Sequence, residues 1–205
     1  SFPAHHGQSL FAQVKWRPSE PWTLTAGLHS MMDTRSGATS WVEPRLGAQY
    51  VTAGGTAWSL GSGLHSPMQT PYLYASSDGA NEGMDFTKSV HTVVGMSRRL
   101  GAFWSMKAEG YWQELYNIPV ADTSTAWGAN NLLYSLINAG GGFSRLFPDS
   151  LVNEGRGRNK GVELTLSRAF RDGWFLLFTG SLFDAQYTGA DGQYRNTDFN
   201  GRYAW

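Results

Sequence analysis

The sequence has no cysteine, which excludes disulfides, thiolate metal sites and cysteine nucleophiles. No run of about 18 consecutive apolar residues occurs, so a membrane-spanning helix is excluded and only a closed barrel could cross a bilayer. Sixteen basic residues balance sixteen acidic ones, so net charge predicts no nucleic-acid partner. The amino terminus lacks the basic and apolar segments of a signal peptide, and none is expected.

Aromatic residues, in contrast, are abundant. They make up 14% of the chain, and charged residues make up only 16%. A soluble surface would accommodate this composition poorly, whereas a barrel in lipid places aromatic girdles at both interfaces. The composition therefore favours a membrane barrel.

Glycine and proline divide the chain into nine runs in which apolar and polar residues alternate. Such alternation is typical of strands that bury one face. The even-numbered positions are mostly apolar and carry the tryptophans, so the charges are expected on the opposite, odd-numbered face. The runs cover residues 10–16, 22–29, 42–50, 58–65, 89–97, 104–113, 162–167, 174–182 and 196–205.

The connections between the runs alternate in length. Tight turns are predicted at residues 18–21, 52–55, 100–102 and 171–173, and long connections at 32–40, 66–86, 117–158 and 188–195. Membrane barrels join strands in this way, with short periplasmic turns and long extracellular loops. A soluble sandwich more often has short turns at both ends and a polar outer face.

The strand count predicts a segment of a larger barrel. The first run descends into a tight periplasmic turn, so a further strand is expected before it. Nine is an odd number, whereas bacterial single-chain barrels have even counts and no free edges. The alternative is a complete small barrel that ends on the aromatic residue Trp205.

Several of these runs contain short sequence motifs that resemble those of a known protein family. Residues 41–50 contain Pro-Arg-Leu-Gly, residues 55–67 read Gly-Thr-Ala-Trp-Ser-Leu-Gly-Ser-Gly-Leu-His-Ser-Pro, and Phe-Thr-Lys-Ser and Ser-Arg-Arg-Leu-Gly follow at 86–89 and 97–101. The most specific segment is 151–166, which joins Asn-Glu-Gly to Gly-Val-Glu-Leu. Together they resemble strands of TonB-dependent outer-membrane receptors, particularly those of Bacteroidota.

The resemblance implies the fold and the function. Residues 1–205 would be about nine antiparallel transmembrane strands of a barrel of ~22 strands, without the plug domain, the early strands or the last strands. The parent protein would import a scarce nutrient (a siderophore, cobalamin, a glycan or a peptide) across the outer membrane of a Gram-negative bacterium. Its partners would be outer-membrane lipid, its own plug domain, TonB and that ligand.

Two other classes of function remain open. A passive porin or structural barrel has the same strand pattern, and an upstream plug domain would distinguish a receptor from it. An outer-membrane enzyme is less well supported, because the sequence shows no Gly-x-Ser-x-Gly turn, phosphate loop or His-Glu-x-x-His helix. No catalytic residue, cofactor or bound metal is therefore expected.

Candidate ligand contacts lie in the long connections and near their base. Aromatic rings give a large contact area at little entropic cost, so ligand contact and packing between loops are both open for Tyr72, Tyr74, Trp127 and Tyr134. A short helix that covers the loop is predicted over 130–138. The odd-numbered charges, of which Glu43, Arg45, Lys107, Glu109 and Glu163 are examples, are expected to give a lumen its polar wall.

Three histidines are expected to share one level just below the extracellular rim. His65 and His91 should lie on neighbouring strands about 5 Å apart, with His29 about 10 Å from His65. Neutral imidazole is a common transition-metal ligand, so the pair could contact a metal-bearing ligand. The alternative is hydrogen bonding to a plug or to water, and no odd-numbered carboxylate is expected at that level.

Overall fold

The computed structural model describes residues 7–33, 38–68, 81, 83–121 and 150–205. The described residues form one antiparallel sheet in which β1 to β8 pair in chain order, while β9 and β10 both pair with the far edge of β8. No helix in these ranges is long and apolar enough to cross a membrane. The strands are β1 (Gly7–Trp16), β2 (Trp22–Asp33), β3 (Thr39–Val51), β4 (Thr56–His65), β5 (Lys88–Arg99), β6 (Trp104–Ala121), β7 (Leu151–Arg171), β8 (Trp174–Thr188), β9 (Tyr194–Asn196) and β10 (Tyr203–Ala204).

The predicted all-β, antiparallel fold is confirmed, and the register preserves the alternation across strands. Leu60, for example, pairs with Ala48 on β3 and with Val94 on β5. Because paired residues point to the same side of a sheet, the even-numbered side chains gather on one face and the odd-numbered ones on the other. We call these the apolar face and the polar face.

All four predicted tight turns are confirmed. Between β7 and β8 the turn has φ of 54° at Asp172 and 84° at Gly173, the left-handed pair that a two-residue hairpin turn requires. Between β3 and β4, Gly55 has φ of 76° and its N–H donates to the Thr52 carbonyl at 2.9 Å. These turns fix the register of the strands that they join.

The strands toward the long connections run further than predicted. β6 has 18 residues and β7 has 21, so the expected connection over 117–158 was wrong at both of its ends. A tilted strand needs only about 9 to 11 residues to cross a bilayer. The extra part of β7 carries polar residues on both faces, whereas the extra part of β6 includes the buried residues Ile118, Val120 and Ala121. Neither part shows the alternation that marks a half-buried strand in the sequence. The ninth run is likewise split into β9 and β10.

The expectation that charges avoid the tryptophan face was also wrong. Trp112 pairs with Lys160, which in turn pairs with Asp184, so all three lie on the apolar face. The Lys160 Nζ lies 5.7 Å from the Trp112 ring centroid and 3.8 Å from Asp184 Oδ2. These charges occupy the part of the sheet that extends toward the long connections.

At the tight-turn end, Arg168 lies on the same face between tryptophans. Its guanidinium carbon is 3.6 Å from the Trp174 ring centroid, and its Nη1 donates to the carbonyls of Arg171 at 2.9 Å and Trp174 at 2.7 Å. Trp104 packs edge-on against Trp174 with ring centroids 6.1 Å apart. Arg168 is thereby buried as a hydrogen-bonded, stacked cation.

An apolar band separates these two charged levels. On β7 the even-numbered residues between Lys160 and Arg168 are Val162, Leu164 and Leu166. Eight steps at ~3.3 Å span about 26 Å of strand, or roughly 20 Å along the barrel axis at a tilt of ~40°. That height approaches the ~25 Å apolar band of outer-membrane barrels.

The small buried core lies beside the long connections. Met84, Ile118 and Leu151 form it, with Met68 and Leu115 packed against them. The backbone there is held by side-chain amides: Asn81 Oδ1 accepts from the Leu151 N–H at 3.0 Å. This core therefore ties β6 and β7 to the segment that precedes β5.

Replacing Leu60 with arginine tests the assignment of the apolar face. Leu60 is 50% exposed in the middle of this face, and an outward arginine near the bilayer midplane costs ~2 to 4 kcal/mol in a barrel. Gln49→Arg is the control, since Gln49 lies on the polar face and pairs with Ser59. The free energy of unfolding of the full-length protein in lipid vesicles should fall only for Leu60→Arg, and equal tolerance at both positions would contradict the assignment.

Gly161 tests the packing of the polar face. The Tyr111 ring lies across this glycine, and an added β-carbon would be 2.6 Å from the Leu182 carbonyl oxygen and 2.7 Å from the Tyr111 hydroxyl. Gly161→Ala should therefore destabilise the sheet by about 1 to 3 kcal/mol. Gly47→Ala, whose β-carbon would make only ordinary contacts at 3.7 and 3.8 Å, should change the same unfolding free energy little. A neutral Gly161→Ala would show that Tyr111 does not occupy this position.

Candidate functional site

The polar face has a charged middle level. Glu109 pairs directly with Glu163 on β7, so two carboxylates project from adjacent positions. Lys107 Nζ contacts Glu109 Oε2 at 2.7 Å on the same strand, which offsets part of the repulsion between the carboxylates. Gly95 on β5 is the direct partner of Glu109 on β6 and leaves room for the Glu109 side chain. This level is a solvated, mixed-charge wall.

Nearer the long connections, hydrogen-bonded amides join β5, β6 and β7. Gln113 Nε2 donates to Ser89 Oγ at 2.8 Å, and Gln113 Oε1 accepts from Asn159 Nδ2 at 2.9 Å. His91 pairs with Gln113 in the ladder, and its ring meets Tyr111 edge-on at 6.2 Å. Side chains of β5, β6 and β7 are thus hydrogen-bonded to one another at the histidine level.

A buried histidine–carboxylate pair connects β2 and β3 at this level. His29 pairs with Glu43, and His29 Nδ1 lies 2.6 Å from Glu43 Oε2. The Glu43 side chain is only 1% exposed, and Arg45 Nη2 lies 3.5 Å from the same oxygen. The expectation that no odd-numbered carboxylate would share the histidine level was therefore wrong. The long connection after β2 hid this register.

A hydrogen-bonded chain of two serine hydroxyls and a lysine lies beside the His29–Glu43 pair, toward the long connections. Ser66 Oγ donates to Ser40 Oγ at 2.8 Å, and Lys88 Nζ donates to Ser66 Oγ at 3.1 Å. These contacts join β3, the end of β4 and the start of β5. The network connects the Lys88 ammonium group to the hydroxyls of Ser66 and Ser40.

The three predicted histidines do share one face and one end of the sheet. His65 and His91 are diagonal neighbours, because His91 pairs with Gly63 and His65 pairs with Ser89. The expected direct opposition at about 5 Å was therefore wrong, since diagonal neighbours stand about 7 to 8 Å apart at the backbone. His29 lies on β2, two strands away from His65 on β4, and interacts with Glu43 on the strand between them. No three His, Asp or Glu residues of the described ranges form a metal-binding group.

The other predicted ligand contacts, Tyr72, Tyr74, Trp127 and Tyr134, lie outside the described residues. So does the helix predicted over 130–138. They stay predictions. Sequence reasoning missed the amide ladder of Gln113 and Asn159. Gln113 ends the sixth predicted run, but Asn159 precedes the seventh, which was predicted to begin at residue 162, so no pairing between them was expected.

The described connection between β8 and β9 also contains a built ion pair. Arg195 Nη1 donates to Asp191 Oδ1 at 2.8 Å, and Arg195 Nη2 contacts the other carboxylate oxygen. The hydrogen bonds from Arg195 lower the pKa of Asp191 to about 2. This carboxylate therefore stays charged at any physiological pH and holds the short connection closed.

The family is decided by comparison with known proteins. A family model described as TonB dependent receptor-like, beta-barrel, matches residues 2–204. The chain belongs to this TonB-dependent receptor β-barrel family. Among solved structures, one named "Copper transporter OprC" matches with a TM-score of 0.56 and 14% identity, over 91% of this chain and 30% of that one. At that identity the likeness shows the fold alone.

The comparisons also show how much of a known protein this chain corresponds to. The match covers only 30% of the length of the solved structure, so this chain corresponds to about a third of that protein. A search of curated protein sequences found no significant match. The matched family consists of receptor β-barrels, so the expectation that this chain is not an enzyme is confirmed.

His29→Ala tests the buried pair. Removing the imidazole leaves the buried Glu43 carboxylate without its closest partner, and an unsatisfied buried group costs about 1 to 3 kcal/mol, or more when charged. His29→Ala combined with Glu43→Gln also removes the unpaired negative charge and should recover part of the lost free energy of unfolding. Chemical unfolding of the full-length protein measures both. If the double variant were no more stable than the single one, Glu43 would not depend on His29.

Proposed function

We infer that the chain is part of the barrel wall of a receptor that takes up a scarce nutrient across the outer membrane with energy delivered through TonB. Residues 1–205 would then contribute about nine of the ~22 strands of such a barrel. The plug domain, the early strands and the last strands would come from the rest of the protein. The ligand would be a siderophore, cobalamin, a glycan or a peptide.

One observation supports the location most directly: the apolar face is bounded by two aromatic and basic levels. Leu46, Leu60, Val162 and Leu182 are all at least half exposed within the band. In water such a patch would be a liability, whereas in a bilayer it is covered by acyl chains. Lys160, at the border nearer the long connections, can extend its charged end toward lipid headgroups, whereas Arg168 at the other border is buried against Trp174. The tight-turn end would then face the periplasm and the long connections the exterior.

The open edges support a larger barrel. Among the described strands, β1 pairs only with β2, and β10 pairs only with β8. Unpaired strand edges cannot be left in lipid, because no water is present to satisfy their backbone groups. Further strands would have to complete the ladder. The polar face would then line a lumen wide enough to hold a plug.

Ligand contact is proposed for the loop aromatics Tyr72, Tyr74, Trp127 and Tyr134 at the extracellular mouth, and for the histidine level below them. Copper is what the structural neighbour's name states for that protein, and 14% identity does not carry a substrate to this one. The polar face supports a hydrophilic ligand, because it offers imidazoles, amides, hydroxyls and charges of both signs.

A conductance measurement separates an energised receptor from a passive porin without requiring the ligand. The full-length protein, reconstituted in a planar bilayer, should show no steady channel, because a plug would fill the lumen. Reversible unfolding of that plug with urea should open a large pore. The purified periplasmic domain of TonB should also bind the protein. A wide channel that is open from the start, together with no binding to TonB, would favour the porin.

A further inference from the structure

Three cations form a column on β7, on the side of the apolar face and directly beyond the apolar band. Arg156, Arg158 and Lys160 occupy successive even-numbered positions of this strand. The ladder places them on the same side as the tryptophans, since Lys160 pairs with Trp112. Four steps of ~3.3 Å give this cation column a length of about 13 Å. It begins where the apolar band ends, at the end of the sheet near the long connections.

The cation column has N–H donors that the described residues leave without acceptors. Lys160 Nζ lies 3.8 Å from Asp184 Oδ2, which is too far for a hydrogen bond. Arg158 Nη2 donates to Gln186 Oε1 at 2.8 Å, but Arg158 Nε is buried and has no acceptor among the described residues. Arg156 is exposed, and its described hydrogen bonding is confined to its backbone N–H. Because buried donors are almost always satisfied, the column indicates an acceptor from outside these residues.

Two carboxylates flank the cation column, and each is already engaged by a neutral donor. Glu114 is the ladder partner of Arg158, but its Oε1 accepts from Trp112 Nε1 at 2.9 Å. Asp184 Oδ1 accepts from Asn200 Nδ2 at 2.9 Å. These acids therefore neutralise the column only in part. Their remaining lone pairs can accept from hydroxyl groups, which favours a ligand that carries hydroxyls as well as negative charge.

A polar cleft of about 620 Å³ opens beside the outer end of the cation column. The residues that line it on this side of the sheet are Glu114, Tyr116, Glu154, Arg156 and Tyr194. The Tyr194 ring centroid also lies 5.0 Å from the Arg158 guanidinium carbon, so the cleft and the column adjoin. Tyrosine rings offer an apolar surface to the face of a sugar, and carboxylates accept from its hydroxyls. The cleft therefore suits a sugar beside a phosphate.

We propose that the cation column and the cleft form a docking site for the phosphorylated sugar headgroup of a glycolipid in the outer leaflet. The proposal rests on the proposed function, because it requires the apolar face to lie in an outer membrane. The guanidinium and ammonium groups bind phosphate, and the cleft binds the sugar. The acyl chains of the same lipid lie against the apolar band. The site is on the opposite face of the sheet from the histidines, so it binds membrane lipid and not the imported ligand.

Two lipids that differ only in phosphate test the site. The full-length protein in dodecyl maltoside is titrated with diphosphoryl lipid A and with the same lipid after removal of both phosphates, and native mass spectrometry measures the bound lipid. The parent should bind the phosphorylated lipid much more tightly. Arg156→Gln with Arg158→Gln and Lys160→Gln should weaken that binding roughly a hundredfold, because each cation near an anionic lipid surface contributes about fivefold.

The matched control removes the same charge from the polar face. Lys15→Gln with Arg99→Gln and Lys107→Gln should leave lipid binding unchanged, since these residues pair with odd-numbered partners on the other side of the sheet. Heat-modifiable mobility on a gel shows that each variant has folded. Inorganic phosphate and phosphatidylglycerol should displace lipid A poorly, because neither carries a phosphorylated sugar.

Several outcomes would overturn the docking site. These are equal binding of the phosphorylated and dephosphorylated lipids, unchanged binding by the triple variant of the cation column, and equal losses in both triple variants. Displacement of lipid A by inorganic phosphate or phosphatidylglycerol at equal concentration would also overturn it, because the site would then recognise charge alone. Conductance and TonB binding do not depend on these cations, so a failure here is distinguishable from a failure of the proposed function.

Discussion

The backbone hydrogen-bond ladder is the constraint on which the structure depends. In lipid every N–H and C=O must be satisfied within the protein, which only helices and closed sheets achieve. This chain satisfies its groups between neighbouring antiparallel strands from β1 to β8. Because a strand repeats every two residues, such pairing gives each strand two different faces. The apolar and polar faces of the sheet both follow from this period.

The same period explains why the two ends of the sheet differ. Tight turns with left-handed residues at Asp172 and Gly173 hold the strands in register at one end. At the other end β6 to β8 extend beyond the apolar band, and Lys160 and Asp184 occupy positions that hold leucine lower down. Those extended strands carry Gln113 and Asn159 of the amide ladder, and the His29–Glu43 pair lies at the same end of the sheet on β2 and β3. The chemistry of the polar face is therefore concentrated where the strands leave the band.

Much of this could be read from the sequence, and the exceptions have physical causes. Alternation identified the central part of every long strand, and glycine or proline identified all four tight turns. The ends of β6 and β7 could not be found, because the end of β6 is buried on both faces while residues 153–160 of β7 are polar or glycine on both faces, so neither stretch alternates. The facing of His29 and Glu43 was also hidden, since a long connection, unlike a tight turn, does not determine which residues pair.

Spin labels along β7 test the central claim, that one face of this sheet meets lipid. These 205 residues contain no cysteine, so single cysteines can be introduced for labelling at each position from Val162 to Ser167 in a cysteine-free version of the full-length protein. Oxygen, which partitions into lipid, should relax labels at Val162, Leu164 and Leu166 strongly and those at Glu163, Thr165 and Ser167 weakly. Equal oxygen collision rates at all six positions, or a maximum on the odd-numbered ones, would contradict the account.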